Sequence, residues 1–463
     1  MGSEDHTSRL QPFSEFYTEL KGAGHEAYRS KPGVRVRSID AFCEQKAHLL
    51  ALYDGVRVDH SFVDSGGQIF DCMPAEQQPA LRRSGGKLAS PPKVPSPASA
   101  RAASAVVPAP LHAAKKDRHG NEMMCPPGTG PIRRLTLDEL VRYETLDHFL
   151  RKHAHPRGRV RAHRRVLLRP ETQETPHEYA HASQGAANIG GHSILNVWSP
   201  TIGQDQIFSL SQHWYVADSA AGVQTIEVGW QVCPQMYGHS NPVLFTYWTA
   251  DGYQKTGSYS LTGGHFVQYS ATHPVGMALT ESSQLGGDQV ELELTVMLED
   301  GNWWLFVNGT DAAHAVGYYP ATLYAGGPLA TGATEIDYGG ETVGNGSYPP
   351  MGSGEFAAKG YKFAAYQRNI YYFQSSSSAV EAALTPSQDW PQSYTIRVDR
   401  SNDWGEHFYF GGPGTAFAGP LSSSGVCDES SGRLVMEGPL GVRIEGLSIR
   451  DAAALIRNLG RQT

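Results

Sequence analysis

The 463-residue sequence has no apolar run near the roughly 18 residues that a membrane-spanning helix needs, so no transmembrane segment is expected. Cysteine is scarce. The five (Cys43, Cys72, Cys125, Cys233 and Cys427) include no CxxC pair, which argues against a structural zinc ribbon, and the odd number leaves at least one unpaired or shared between chains. The polar opening MGSEDHTSRL lacks the apolar core of a signal peptide, so either export by that route is absent or a leader has been removed. Two N-x-[ST] triplets, at Asn308 and Asn345, are weak signals because such triplets arise by chance. Composition also excludes a collagen, a coiled coil and a fully disordered chain. What the chain has instead is length enough for more than one domain, with 51 glycines and 29 prolines that favour turns over long helices.

Basic residues are unevenly spread. Residues 1–175 hold 27 Lys+Arg against 20 Asp+Glu, and the rest holds the remaining 11 against 26, so a net −8 hides a basic front and an acidic back. Most of the front's excess lies in residues 151–175, with 8 basic against 2 acidic, including the run PRGRVRAHRRVLLRP. That run reads as a solvated linker, a processing site or a docking strip for an acidic surface.

Residues 36–53 show the apolar spacing of an amphipathic helix, and residues 134–153 that of a second, with Thr136 and Glu139 placed as a capping box. Between them, residues 84–117 are rich in Ser, Ala and Pro, lack aromatics and read as a flexible insert. From about residue 190 the pattern changes to period two. In QTIEVGWQV, Ile226, Val228, Trp230 and Val232 share one face and Thr225, Glu227, Gly229 and Gln231 the other. DQVELELTVML alternates in the same way, and FSLSQHWYV, VLFTYWTA, WWLFVNG and YTIRV are similar runs. Strands at short spacing with no helices between them predict a mainly β protein, an antiparallel β-sandwich of two packed, jelly-roll-like sheets behind a small helix-containing region. The tail, 413–463, is mostly polar, with a helix expected over LSIRDAAALIRNLG.

HEYAH, from His177 to His181, matches the H-E-x-x-H signature of zinc proteases. Pro176 precedes it, the glycine-rich SQGAANIGG follows, and no third ligand stands at the usual spacing, so it reads as a chance match on strand and turn.

Longer stretches carry a family resemblance. TIEVGWQVCPQMYG, LFTYWTADGYQKTGSYSL, DGNWWLFVNG, VGYYPATLY, YGGETV, MGSGEF and WGEHFYFGGPG occur in the order seen in the catalytic domain of the neprosin family of prolyl endopeptidases. GGQIFDCMPAEQQPAL and CPPGTGPIRR resemble the motifs of that family's activation peptide. The resemblance covers roughly residues 60–83, 125–150 and 177–412. It implies an N-terminal segment 1–35, an activation-peptide-like domain 36–150 with the insert inside it, a basic linker 151–176 holding the processing region, a catalytic sandwich 177–412 and an extension 413–463. A cysteine pair of the plant members is absent, since GSYSLTGG carries Ser258 and Gly263 instead. Cys72 and Cys125 sit in the two propeptide motifs and are expected to pair in an oxidising compartment.

The resemblance implies a glutamic peptidase that uses two glutamates and neither cofactor nor metal, at Glu227 and Glu341. Glu227 lies opposite its strand's apolar stripe, and Gly339-Gly340 before Glu341 would let a peptide backbone approach. Cleavage after proline is implied, with Trp230, Tyr237, Trp248 and Tyr318 as candidates to hold the proline ring and Gln231 to hydrogen-bond the substrate. Each of the aromatics could equally be core packing. Proline-containing peptides or proteins are the implied substrates and the chain's own propeptide the intramolecular inhibitor. No nucleic acid or membrane partner is expected, the expected state is a monomer, and secretion is implied, with a cytoplasmic location as the alternative. Read without the family, two glutamates among aromatics in a β-sandwich fit a glycoside hydrolase or a lectin-like carbohydrate-binding module equally well.

Overall fold

In the computed structural model, residues 10–95, 107–108, 115–152, 177–414, 434–437 and 443–447 are described. The chain divides into two compact units, Met1–Thr415 and Ala416–Thr463. In the second, the strands Leu434–Glu437 and Arg443–Leu447 pair antiparallel, and the expected tail helix lies outside the described residues beyond Leu447.

Two large sheets stack as a sandwich. One has seven strands, in the order Ser258–Tyr259, Val243–Thr249, Gly222–Val232, Gln206–Ser219, Ala333–Gly344, His177–Asn188 and Thr385–Gln388, all paired antiparallel. The other has ten and is centred on Val290–Glu299, Gly190–Asn196 and Ala365–Ser375. Alternation decides which side of each strand meets the opposite sheet. Ile226, Val228, Trp230 and Val232 turn inward to a core shared with Leu292, Leu294, Val296 and Leu298, as their period-two spacing predicts. Every second residue of the seven-stranded sheet, Glu227 and Glu341 among them, is thereby left for the other face.

That other face is covered by the N-terminal region. Phe13–Gly22, inside the N-terminal segment, is helical and packs Phe16 and Leu20 onto the helix Ile39–Tyr53. Ser38 caps the second helix by accepting from Ala41 N–H. The single helix expected over 134–153 is two, Leu137–Leu140 and Leu146–Leu150. The Thr136–Glu139 capping box forms as expected. The break is stabilised from outside: the buried Gln45 amide donates to the carbonyls of Leu140 and Tyr143, both 3.0 Å, and Thr145 caps the next turn.

A three-stranded sheet, His60–Val63, Ile69–Pro74 and Thr129–Arg133, joins the two propeptide-like motifs, and Cys72 is disulfide-bonded to Cys125. Gln78, of the QQPA sequence, exchanges two hydrogen bonds with the Gln268 backbone, each 2.7 Å, and so docks this region on the sandwich. The insert 84–117 departs from expectation in part. Leu88, Ala89 and Val94 pack against the cluster of Trp304, Tyr318 and Phe373, and Val107–Pro108 pairs parallel with Val290–Glu299. Among the described residues no helix is long and apolar enough to cross a membrane.

Candidate active site

Glu227 and Glu341 sit on strands separated by one other, Gln206–Ser219. Glu227 is in register with Trp214 and Tyr247, and Glu341 with Leu210 and Tyr179. Between them Gln212 is flanked by Gly229 on one neighbour and Gly339 on the other. A Cβ at Gly229 would stand 2.0 Å from Ser211 O, so backbone proximity requires glycine there. The role expected for Gly339-Gly340 is corrected: the space beside Gly340 is filled by Met351 and Phe410, and that beside Gly339 by the Ala180 carbonyl. These glycines allow internal close packing rather than an opening for substrate.

Both carboxylates converge on one ammonium group. Lys152 Nζ lies 2.5 Å from Glu227 Oε2 and 2.6 Å from Glu341 Oε2, with all three side chains at 0% exposure. Lys152 is two residues beyond the helix Leu146–Leu150, and its backbone N–H donates to Tyr247 OH (3.1 Å). The Trp214 and Phe208 rings flank the ammonium at 5.6 and 5.8 Å. Burial alone would push this amine down, but the two glutamates outweigh it and hold Lys152 above its ordinary value. Two carboxylates touching one nitrogen lie within about 5 Å of each other, where at an effective dielectric near 20 they would repel by about 3 kcal/mol once the cation left.

Each glutamate has its own partners. Glu227 Oε1 accepts from Tyr253 OH (2.7 Å) and Thr225 Oγ1 (3.2 Å). Burial, then the nearby Glu227, push the Tyr253 phenol well up, so it stays a donor. Tyr253 holds a left-handed backbone, φ 62°, in a turn organised by Asp251. That carboxylate accepts from the Thr256 hydroxyl (2.8 Å) and from Lys255 N–H (2.9 Å). Burial works against the charge of Asp251, but these donors outweigh it and keep the carboxyl below its usual range. Glu341 Oε2 accepts from Gln212 Nε2 (3.0 Å), and Oε1 lies 2.5 Å from His177 Nδ1 and 3.4 Å from Tyr179 OH. On the same face burial pushes Asp337 up to about 6, against a hydrogen bond from Ser183.

The other sequence candidates divide. Gln231 shares the face of Glu227, is fully buried and lies against Tyr259. Tyr237 belongs to an apolar cluster on this face with Phe208, Leu210, Phe245, Tyr247, Tyr259 and Val343. Trp230 and Trp248 do not reach it. Both point into the inter-sheet core, where Trp230 donates to Asn196 O (3.0 Å) and Trp248 to Ser258 Oγ (3.1 Å). Tyr318 lies on the ten-stranded sheet beneath the insert, accepting from Ala89 N–H (3.1 Å). Large rings supply the most apolar area, and in these three the core claims it.

HEYAH begins a strand, not a helix. Residues four apart on a strand are roughly 13 Å apart, so His177 and His181 cannot share one metal ion. Sequence reasoning missed Lys152, Tyr253 and Gln212 as site residues and set His177 aside with the zinc motif. Of the free cysteines among the described residues, Cys233 is buried, with its thiol pushed up to about 12, and Cys43 is exposed. Cys427 lies outside the described residues.

Residues 205–413 match the model of the Neprosin family. Among solved structures, the chain is similar to scytalido-glutamic peptidase with a transition state analog inhibitor, at 9% identity over 51% of this chain and 98% of that one, TM-score 0.30. It is also similar to SCP-B, a member of the Eqolisin family of peptidases in a complex with the tripeptide Ala-Ile-His, at 8% identity over 52% and 98%, TM-score 0.28.

Proposed function

We propose that this chain, which carries a Neprosin family domain over residues 205–413, is an acid-active glutamic endopeptidase held latent by its own N-terminal region. The family domain points to a peptidase acting on peptides. The observation that carries the finer reading is the convergence of Glu227 and Glu341 on a single buried cation supplied from outside the sandwich. With Lys152 withdrawn, the space of its nitrogen is within hydrogen-bond reach of both carboxylates, where a water molecule would be held. The repulsion between the pair corresponds to about two pKa units, enough to keep one proton on it at mildly acidic pH. The ionised member takes a proton from the water as it attacks the scissile carbonyl. The protonated member donates to the developing oxyanion and then assists the departing amine. Near neutrality both ionise and activity is lost. The cluster of Tyr237, Phe208, Phe245 and Tyr247 beside the pair suits a flat, apolar proline ring, which supports a preference for cleavage after proline.

The latent form is supported by the contacts beneath the N-terminal region. His48 donates to Thr262 O (2.7 Å), Arg83 donates to Gly264 O, and His265 stands beside both. The Gln68 amide, whose oxygen accepts from Arg133, donates to His239 Nε2 (2.8 Å). Burial lowers all three histidines, and for His265, where Arg83 and then His48 add to it, the value falls to about 3. Docking therefore favours neutral rings. Once separated, each ring would titrate near its ordinary value of about 6.5. Below that pH the separated state binds protons that the docked state refuses, so docking weakens as pH falls. For His265 the window runs from about 6.5 down to about 3, at up to about tenfold per pH unit. The basic run read from the sequence as a linker, a processing site or a docking strip lies outside the described residues from 153 to 176, whereas these histidines lie on the docked face itself.

Two outcomes are expected. Purified protein incubated at acid pH should shorten from its N-terminal side, followed by mass, while a sample at neutral pH stays intact; full activity without shortening would contradict the latent form. In parallel, a proline-containing peptide should be cleaved at acid pH and a panel of polysaccharides left untouched. The reverse result would favour the glycoside hydrolase or lectin-like alternative.

A further inference from the structure

Of the HEYAH motif set aside above, two residues reach Glu341, Tyr179 through its hydroxyl and His177, much closer, through its ring. The His177 side chain is 1% exposed, and its Nδ1 approaches Glu341 Oε1 at 2.5 Å. The ring is fixed in place, stacked on Tyr179 (6.2 Å between centroids, 17° between planes) and met edge-on by Phe208 (6.1 Å, 74°). Val343 is in register with His177, two positions from Glu341 on the adjacent strand, so the contact is a diagonal across two hydrogen-bonded strands rather than a loop approach.

We propose that His177 is a positioning residue that holds Glu341 ionised in the acid range, which makes Glu341 the base and leaves the shared proton on Glu227. The proposal rests on the reading of the pair as an acid peptidase site. The two carboxylates are differently provided for. Once Lys152 is gone, Glu341 keeps a histidine on one oxygen, with the Tyr179 hydroxyl farther off at 3.4 Å, and the Gln212 amide on the other. An imidazole is protonated in acid solution, and a cation in direct contact favours the ionised form of a carboxylate by 1–3 pKa units. Glu227 has instead two hydroxyls, Tyr253 and Thr225, on a single oxygen. A hydroxyl accepts as readily as it donates, so it tolerates a protonated neighbour. Among the described residues, the ionisable groups around His177 are Glu341 and Tyr179 on the two strands, with Lys152 and Glu227 beyond Glu341; Lys152 competes for Glu341 only while it is seated between the two. Glu178, next in sequence, lies on the opposite face toward Tyr348 and Tyr394.

The test is the pH profile of kcat/KM on a proline-containing peptide, measured with acid-matured enzyme. In H177Q, which keeps a donor without a charge, the acid limb should move up by one pH unit or more while the alkaline limb stays. H177K, which restores a cation, should bring it back. H177N provides the same readout if H177Q does not fold. Wild-type turnover with an acid limb unchanged in H177Q, or not restored in H177K, would overturn the role of His177 alone. No wild-type turnover on the peptide would overturn the reading of the site, and this inference with it.

Discussion

Lys152→Met should yield a full-length protein that cleaves a proline-containing peptide before any shortening of the chain. Methionine keeps an unbranched apolar side chain, one atom shorter than that of lysine, and removes the ammonium with its charge and donors. In the native chain that charge touches both glutamates with no exposure to solvent. Removing one side of a buried ionic contact typically costs 3–5 kcal/mol, because the charges left behind are uncompensated. Here two carboxylates would be left facing each other, and they regain part of that loss by retaining one proton between them. Even the lower figure weakens the closed state about a hundredfold. The thioether cannot bridge the glutamates, so water and substrate compete for the space. The check is an acid-pH peptide assay on the variant alongside its intact mass. Full-length Lys152→Met that stays as inactive as the wild-type precursor would mean that other contacts, such as the Gln78–Gln268 pair, are sufficient for latency.

Glu227→Gln and Glu341→Gln should each lower kcat of the matured enzyme by about a thousandfold, within the range for loss of a positioned acid or base. Glutamine matches glutamate in shape and can keep the hydrogen bonds to Tyr253 and Thr225, or to Gln212, after an amide rotation. The matured fold should therefore keep its Tm. A second readout follows from the latent form: neither variant should shorten itself at acid pH, and both should be processed when wild-type enzyme is added in trans. Retention of most of the wild-type kcat by either variant would remove that residue from the catalytic pair.

Much of the fold is legible in the sequence because burial in a sandwich obeys a period of two. The inward stripe of Ile226, Val228, Trp230 and Val232 is readable from QTIEVGWQV alone, and it places Glu227 on the outward face. The Thr136–Glu139 capping box is equally local and forms as read. What the sequence hides is set by contacts distant along the chain. Lys152 sits at the head of a basic run where one cation looks like the next, and its role depends on two strands 75 and 189 residues away. The helix through 134–153 is interrupted because Gln45, nearly a hundred residues earlier, takes up the carbonyls at its break. HEYAH reads from the sequence as strand and turn and does form a strand, but nothing local shows that this strand turns His177 toward Glu341, 164 residues away. For Trp230, Trp248 and Tyr318 the core-packing alternative is the one the structure shows. Their ring chemistry suits a proline site, but an alternating strand assigns the face before chemistry does.

Peptide-bond hydrolysis at Glu227 and Glu341 is the function on which latency, pH dependence and the role of His177 all rest. The measurement closest to that claim is a digest of a mixed peptide pool at acid pH with acid-matured enzyme, with the cut sites read by mass spectrometry beside a Glu341→Gln control. New C-termini ending in proline are expected, their yield falling toward neutral pH, and none in the control. Cuts that ignore proline would contradict the proposed specificity. A pool left intact by the wild-type enzyme, or cut equally well by the control, would contradict the catalytic pair.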